Sequence, residues 1–338
     1  MRYRSLGRTG VRVSELTLGT MTFGSGLEDV SGVDQKGAKE LVARALEAGV
    51  NSFDTADIYS SGESEELLGR ALGSRRDEVM VATKAGIRFG EGPGEAGSGR
   101  AHLTRQLEGS LRRLETDWVD LFYVHVFDET VDPEELGATL DDFVQSGKAR
   151  HVAASNFPAW RLMQALALSD NRGWARYAAY QALWNPLARD VEDELVPLCR
   201  DQEVALFSWS PLAGGLLSGK YRRGAERPAG ARVSDPASEW SGVDQELAFD
   251  VVEVLDLIAS AHGATVAQVA LAWQLARPWL TSIVLGARTP AQLEDNLGAA
   301  NLELTEEEVG RIDAAAPAPR RWPAWHIAVE AEQRDLAN

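Results

Sequence analysis

Four side chains in the first 125 residues have the types needed for concerted proton chemistry: Asp54, Tyr59, Lys84 and His125. A phenol has a reference pKa near ~10, too high for easy proton donation at neutral pH. An ammonium beside it stabilises the phenolate and makes the phenol a better acid. A lysine used in this way needs an acidic partner to hold it charged and aimed, and Asp54 is of the right type. A histidine in the same pocket can orient a reacting oxygen or relay its proton. Singly, each residue has a plainer reading. Tyr59 in DIYSSG can be a packed turn residue, Lys84 at the end of VATK a solvated strand terminus, His125 after LFYV a satisfied buried histidine, and Asp54 a cap for the next segment. Their joint placement favours chemistry, because the four end three successive strand candidates or the turns beyond them.

The elements that must position them recur as short apolar strand, turn, amphipathic helix. Strand candidates are 15–20, 50–55, 78–84, 118–125, 149–156, 177–185, 204–210 and 281–287; helix candidates are 35–48, 61–73, 100–114, 133–146, 158–168, 192–202, 245–261 and 265–276. Asp132 before Pro133, Thr265 before Val266, and Thr305 with Glu308 three residues on are helix-start signals. Eight alternations predict an α/β fold, a closed (β/α)8 TIM barrel. An N-terminal β-hairpin around Gly7–Gly10 covers the barrel bottom, and 317–326 has no regular pattern. The whole chain, 1–338, is expected to form one domain. Chemistry on such a barrel gathers at the C-terminal ends of the strands. That rule adds Ser155, Asn156, Gln181, Trp209, Ser210, Gly286 and Arg288 to the first four.

Bulk properties narrow the function classes. With 51 acidic against 34 basic residues the net charge is -17, which argues against nucleic acid and anionic membrane as partners. The single cysteine, Cys199, excludes an intrachain disulfide and a cysteine-only metal site. No signal-type or membrane-spanning apolar run is present, so the expected compartment is the cytoplasm. The five histidines form no HxH pair, which counts against a metal-dependent barrel hydrolase, and Asp54 has no second carboxylate suited to glycoside hydrolysis. No metal is expected.

The motifs FDTADIY, VATK, DLFYVH, SNF, SWSPLAGGLLSGKY and GARTPAQLEDN together resemble the aldo-keto reductases over nearly the whole chain. The pattern is similar to the longer bacterial members and the potassium-channel β-subunit branch. The resemblance implies a barrel that binds NADPH without a Rossmann domain, with Asp54, Tyr59, Lys84 and His125 as the catalytic tetrad. It implies reversible reduction of an aldehyde or ketone, a small-molecule carbonyl substrate. By the same motifs Ser155, Asn156 and Gln181 would hold the nicotinamide carboxamide and Trp209 would stack on its ring. Ser210, Leu212, Gly214 and Lys220 would contact the pyrophosphate. Arg288, beside Gly286, would take the adenosine 2′-phosphate, with Gln292 and Asn296 at the ribose-adenine end. The branch also leaves open an NADPH-binding regulatory or redox-sensing subunit, or a sugar or secondary-metabolism ketoreductase.

Three further expectations concern loops and pocket walls. The stretch 212–245, with Lys220, Arg222, Arg223, Arg227 and Arg232, is predicted to be a lid over the cofactor. GPGEAG, Gly92 to Gly97, fits the GxGxxG pattern only by letter and is expected as a flexible loop at the pocket mouth, since it does not join a strand directly to a helix. Met21, Phe23, Phe89, Val126, Phe127 and Trp184, with Trp240, Trp322 and Trp325, are candidates for an apolar substrate pocket. The sequence carries no signal for oligomeric state.

Overall fold

A computed structural model describes residues 1–26, 30–225, 244–319 and 321–336. The chain opens with an antiparallel hairpin, β1 (Tyr3–Ser5) and β2 (Arg12–Ser14). β3 (Leu16–Gly19) leads into α1 (Gln35–Glu47), β4 (Ser52–Asp54) into α2 (Glu63–Leu72), and β5 (Met80–Ala85) into α3 (Arg100–Arg113). Then follow β6 (Val119–Val124) and α4 (Pro133–Gln145), β7 (Ala149–Ser155) and α5 (Ala159–Arg172), β8 (Tyr177–Leu183) and α6 (Leu195–Asp201). β9 (Ala205–Trp209) precedes α7 (Gln245–His262) and α8 (Val266–Leu275); β10 (Ser282–Gly286) precedes α9 (Pro290–Gly298), α10 (Glu306–Ala315) and α11 (Ala324–Leu336). β3 to β10 pair in parallel, each with its sequence neighbour, and β10 returns to β3. The result is a closed eight-stranded barrel within a ring of helices, the fold expected from eight alternations.

The strand period places the site. Met80, Ala82, Leu121, Tyr123, Ala153, Ala179, Ala205, Phe207 and Val284 form one apolar cluster inside the barrel, together with Leu6 and Val13 of the hairpin. Residues two apart on a strand share a face. One step beyond this cluster, on the same faces, come Lys84, His125, Ser155, Gln181, Trp209 and Gly286. The pleat that fills the barrel with apolar side chains thus delivers the polar set to its mouth. At the other end Leu6 and Val13, both fully buried, plug the barrel from below. Burial of two such side chains is worth about 1.5–3 kcal/mol each. Arg4 anchors the hairpin, donating to the carbonyls of Arg277 and Leu275, each at 2.7 Å, where α8 ends.

Helix starts follow the sequence signals. The Asp132 side chain accepts from Glu134 N–H, and Thr265 with Gln268 and Thr305 with Glu308 form capping boxes. Two helices are absent from the sequence reading. α9 is capped by Thr289, which accepts from Gln292 N–H, and has Pro290 at its first position; its described buried residues are only Leu293 and Asn296, too few for an apolar stripe. α11 follows the Pro/Trp stretch, and Trp325, Ile327 and Val329 on it are exposed. No single helix among the described residues is long and apolar enough to cross a membrane.

Candidate active site

Asp54 is the last residue of β4 and Lys84 lies one before the end of β5; both are almost completely buried. Lys84 Nζ forms an ion pair with Asp54 Oδ1 and donates to Thr55 O at 2.8 Å and to Tyr59 OH at 3.4 Å. Gln181 Nε2 donates to Asp54 Oδ2 at 2.8 Å, so both carboxylate oxygens are held. Tyr59 sits on a short turn of helix, Tyr59–Gly62, in which Ser60 and Ser61 have φ of 49° and 55°. The Tyr59 ring lies over Lys84, its centroid 5.1 Å from Nζ. The His125 ring meets the Tyr59 ring edge-on, with centroids 6.1 Å apart. The four residues named first from the sequence therefore form one contiguous cluster.

Electrostatics assign their charge states. Burial pulls the Lys84 ammonium down, but the Asp54 charge, Tyr59 and the hydrogen bonds to both more than offset it, and its pKa rises. Burial, then the Lys84 charge, push His125 down to about 3, so the imidazole is neutral across the physiological range. Among the described residues His125 Nδ1 has no hydrogen-bond partner.

The cluster borders a cavity of about 710 Å³, whose walls include Asp54, Tyr59 and His125. The residues expected at the cofactor also line it: Ser155, Asn156, Gln181, Trp209, Ser210, Leu212, Gly214, Lys220, Gly286, Arg288, Gln292 and Asn296, whereas Lys84 lies behind the wall. Several hold one another. Asn156 Nδ2 donates to His125 O (2.9 Å) and Ser155 Oγ (3.0 Å), Ser155 Oγ donates to Gln181 O (3.0 Å), and Trp209 Nε1 donates to Asn156 Oδ1 (3.3 Å). After β9 the chain turns tightly, and Gly214 N–H donates to Ser210 Oγ at 3.3 Å. A Cβ at Gly215, φ +100°, would lie 2.9 Å from Lys220 Nζ; glycine there lets the ammonium rest on the loop backbone. At the far end Arg288 N–H donates to Gln292 Oε1 at 2.9 Å.

Pocket-wall expectations fare less well than strand ends. Met21 lines the cavity. Phe23 and Trp184 do not: both are fully buried in the shell between strands and helices, Trp184 stacked on Trp273 at 4.9 Å. Phe127 packs on Phe157, and Phe89 covers the Arg113 guanidinium. Val126, Trp322 and Trp325 are exposed to solvent rather than turned into the pocket. Trp240 lies outside the described residues, as do Arg227, Arg232 and most of the proposed lid. Of the lid cations within them, only Lys220 faces the cavity. Arg222 pairs with Asp256, and Arg223 with Glu246, Asp250 and Glu253, so both are engaged by α7. The 86–99 segment is closed by Phe89 N–H to Glu95 O (2.8 Å) and Gly97 N–H to Gly86 O (3.0 Å). Residues missed from the sequence include Val30, Ile58 and Ile87, which line the same cavity. They sit on loops, where no apolar period marks them.

Residues 15–317 match the Aldo/keto reductase family. An oxidoreductase of Bacillus subtilis, YrpG, is 36% identical over 332 residues, 94% of this chain and 97% of that one. A probable voltage-gated potassium channel subunit beta of rice is 36% identical over 333 residues, 95% and 98%. Versiconal hemiacetal acetate reductase of Aspergillus parasiticus is 30% identical over 340 residues, 93% and 96%. By barrel, site and sequence alike, the chain belongs to the aldo/keto reductase family and is an oxidoreductase.

Proposed function

We propose that this chain is an NADPH-dependent reductase of aldehydes or ketones, running reversibly to the alcohol. The observation that carries the reading is Lys84 Nζ held between the Asp54 carboxylate and the Tyr59 hydroxyl, against a cavity that Asp54, Tyr59 and Arg288 all line. The residues fit the cofactor. Trp209 offers a flat face beside the Asn156 and Gln181 amides, Lys220 is an ammonium over a glycine turn, and Arg288 is a guanidinium at the far end, suited to the 2′-phosphate that distinguishes NADPH from NADH. Bound there, the cofactor would supply the hydride.

The protein supplies the proton and its control. Tyr59 donates its hydroxyl proton to the carbonyl oxygen. Lys84 stabilises the phenolate that remains, and Asp54, fixed by Gln181, keeps Lys84 charged. His125, neutral at the working pH, orients the carbonyl by a hydrogen bond and does not compete as a cation. Met21, Val30, Ile58 and Ile87 contribute uncharged side chains to the cavity wall, which favours a neutral apolar carbonyl substrate.

Tyr59→Phe tests the reading. Quenching of tryptophan emission by NADPH should persist, because Trp209 is untouched. Carbonyl reduction should fall by the ~10²–10⁴ that general acid catalysis contributes. Retention of most turnover would remove Tyr59 from this role.

A further inference from the structure

Asp57 is a buried acid that the reaction above does not use. It lies in the turn between β4 and α2, three residues after Asp54 and two before Tyr59, with no exposed surface. Its N–H donates to Lys84 O at 3.0 Å, which pins the turn to β5. Among the described residues neither carboxyl oxygen makes a well-formed hydrogen bond, and only a weak approach from the Ile58 N–H reaches the group.

The charged groups facing it come from three elements: Glu65 from α2, Arg113 from the end of α3 and Lys84 from β5. Glu65 is itself fully buried and already engages the guanidinium. Arg113 Nε donates to Glu65 Oε2 at 2.7 Å, and Thr83 Oγ1 donates to Glu65 Oε1. Arg113 in turn packs against the segment that carries Tyr59, since a Cβ at Gly62, φ +95°, would lie 2.6 Å from Arg113 Cδ. Behind the barrel wall there are thus two carboxyl groups and one guanidinium whose Nε is committed to Glu65. Lys84 is committed to Asp54 and Tyr59. An unpaired buried carboxylate is strongly unfavourable, so the neutral acid is the form this pocket fits. Burial, then the Glu65 charge, push the Asp57 carboxyl up to about 8, against weaker pulls from the Ile58 N–H, Arg113 and Lys84.

We propose that Asp57 is a positioning residue for Tyr59: the neutral acid lets the 56–62 turn seat against Glu65 and Arg113, and loss of its proton displaces that turn and draws the phenol off Lys84. The turn has little slack with which to absorb such a change. Ser60 and Ser61 are held at positive φ, a conformation that persists only when its surroundings enforce it. The Tyr59 hydroxyl is already 3.4 Å from Lys84 Nζ, near the limit of a hydrogen bond. The proposal rests on the reductase reading only in naming Tyr59 as the proton donor.

Infrared difference spectra between pH 6.5 and 9.5 should show a carboxylic-acid carbonyl band lost from the wild type and missing from Asp57→Asn. With tyrosine labelled at the ζ carbon, the resonance assigned through Tyr59→Phe should shift with the same midpoint in the wild type and stay in place in Asp57→Asn. Turnover should fall about tenfold across this range in the wild type but hold in Asp57→Asn. A wild type without the band, a Tyr59 resonance that shifts equally in both proteins, or an alkaline fall kept in Asp57→Asn overturns the proposal. Should Asp57→Asn not fold, Glu65→Gln, which removes the like charge, must move the midpoint of the band to lower pH; an unmoved midpoint overturns it equally. A wild type that reduces no carbonyl at any pH would end the reductase reading, and the two spectroscopic measurements would still decide this one.

Discussion

Lys84 has one environment and two jobs, and a variant pair separates them. Lys84→Met removes the ammonium from Tyr59 and leaves Asp54 buried with Gln181 as its remaining side-chain partner. Breaking a buried ion pair on one side costs about 3–5 kcal/mol, so both turnover and the urea midpoint should fall. Adding Asp54→Asn removes the stranded charge. Stability should then recover by most of that loss while turnover stays low. A double variant as unstable as Lys84→Met alone would show that the cost comes from packing and not from charge. At this scale the gathering of Asp54, Lys84 and His125 at one mouth was legible because strand ends can be counted, and a strand end on an inward face points to the mouth; Tyr59 lies on the turn beyond. Asp57 was not legible. It lies within the same FDTADIY motif, but its meaning depends on Glu65 and Arg113, which reach it from other elements and leave no mark in local spacing. Trp184 shows the reverse error. It was a candidate pocket wall, whereas its ring is fully buried against Trp273 and Trp279.

Elements set how firmly the cofactor end is held. α9 carries Gln292 and Asn296, and its first turn is fixed by the Thr289 side chain accepting from Gln292 N–H at 3.3 Å. Gln292 then accepts from Arg288 N–H, so one cap aligns the backbone of the residue proposed to read the 2′-phosphate. Thr289→Ala should cost ~1 kcal/mol of stability and raise KM for NADPH while kcat changes little, because nothing at Tyr59 moves. Arg288→Ala should raise KM for NADPH and leave KM for NADH nearly unchanged; equal losses with both cofactors would deny Arg288 that phosphate. The eight strands and most of the helices were legible because short apolar runs, buried on both faces, alternate with segments of helical period along the chain. α9 escaped because it buries so little. Its start signal, Thr289 before Pro290, was present but was absorbed into a loop motif.

Over the whole molecule, barrel closure follows from the eight alternations, and closure brings together buried titratable groups whose linkage to folding has opposite signs. His125 has its pKa at about 3 in the folded chain and near ~6.5 unfolded. Between those values the unfolded chain binds a proton that the folded chain refuses, so stability is lost as pH falls below the unfolded value. Asp57 has its carboxyl pushed up to about 8 in the folded chain, against 3.8 for an exposed aspartate. In that window the folded chain keeps a proton the unfolded chain releases, so stability is lost as pH rises. From about pH 4 to 6.5 the two slopes, each approaching ~1.4 kcal/mol per pH unit, largely cancel. Above it the Asp57 slope stands alone until its carboxyl has ionised. Urea unfolding of the wild type and Asp57→Asn at a series of pH values isolates the second slope, since groups common to both proteins drop out of the difference. Asp57→Asn should gain stability relative to the wild type steadily from pH 4 to 8 and hold a constant lead above that. A difference that stays flat across the window would mean that Asp57 is ionised in the folded protein at neutral pH, and that the turn beneath Tyr59 tolerates the charge.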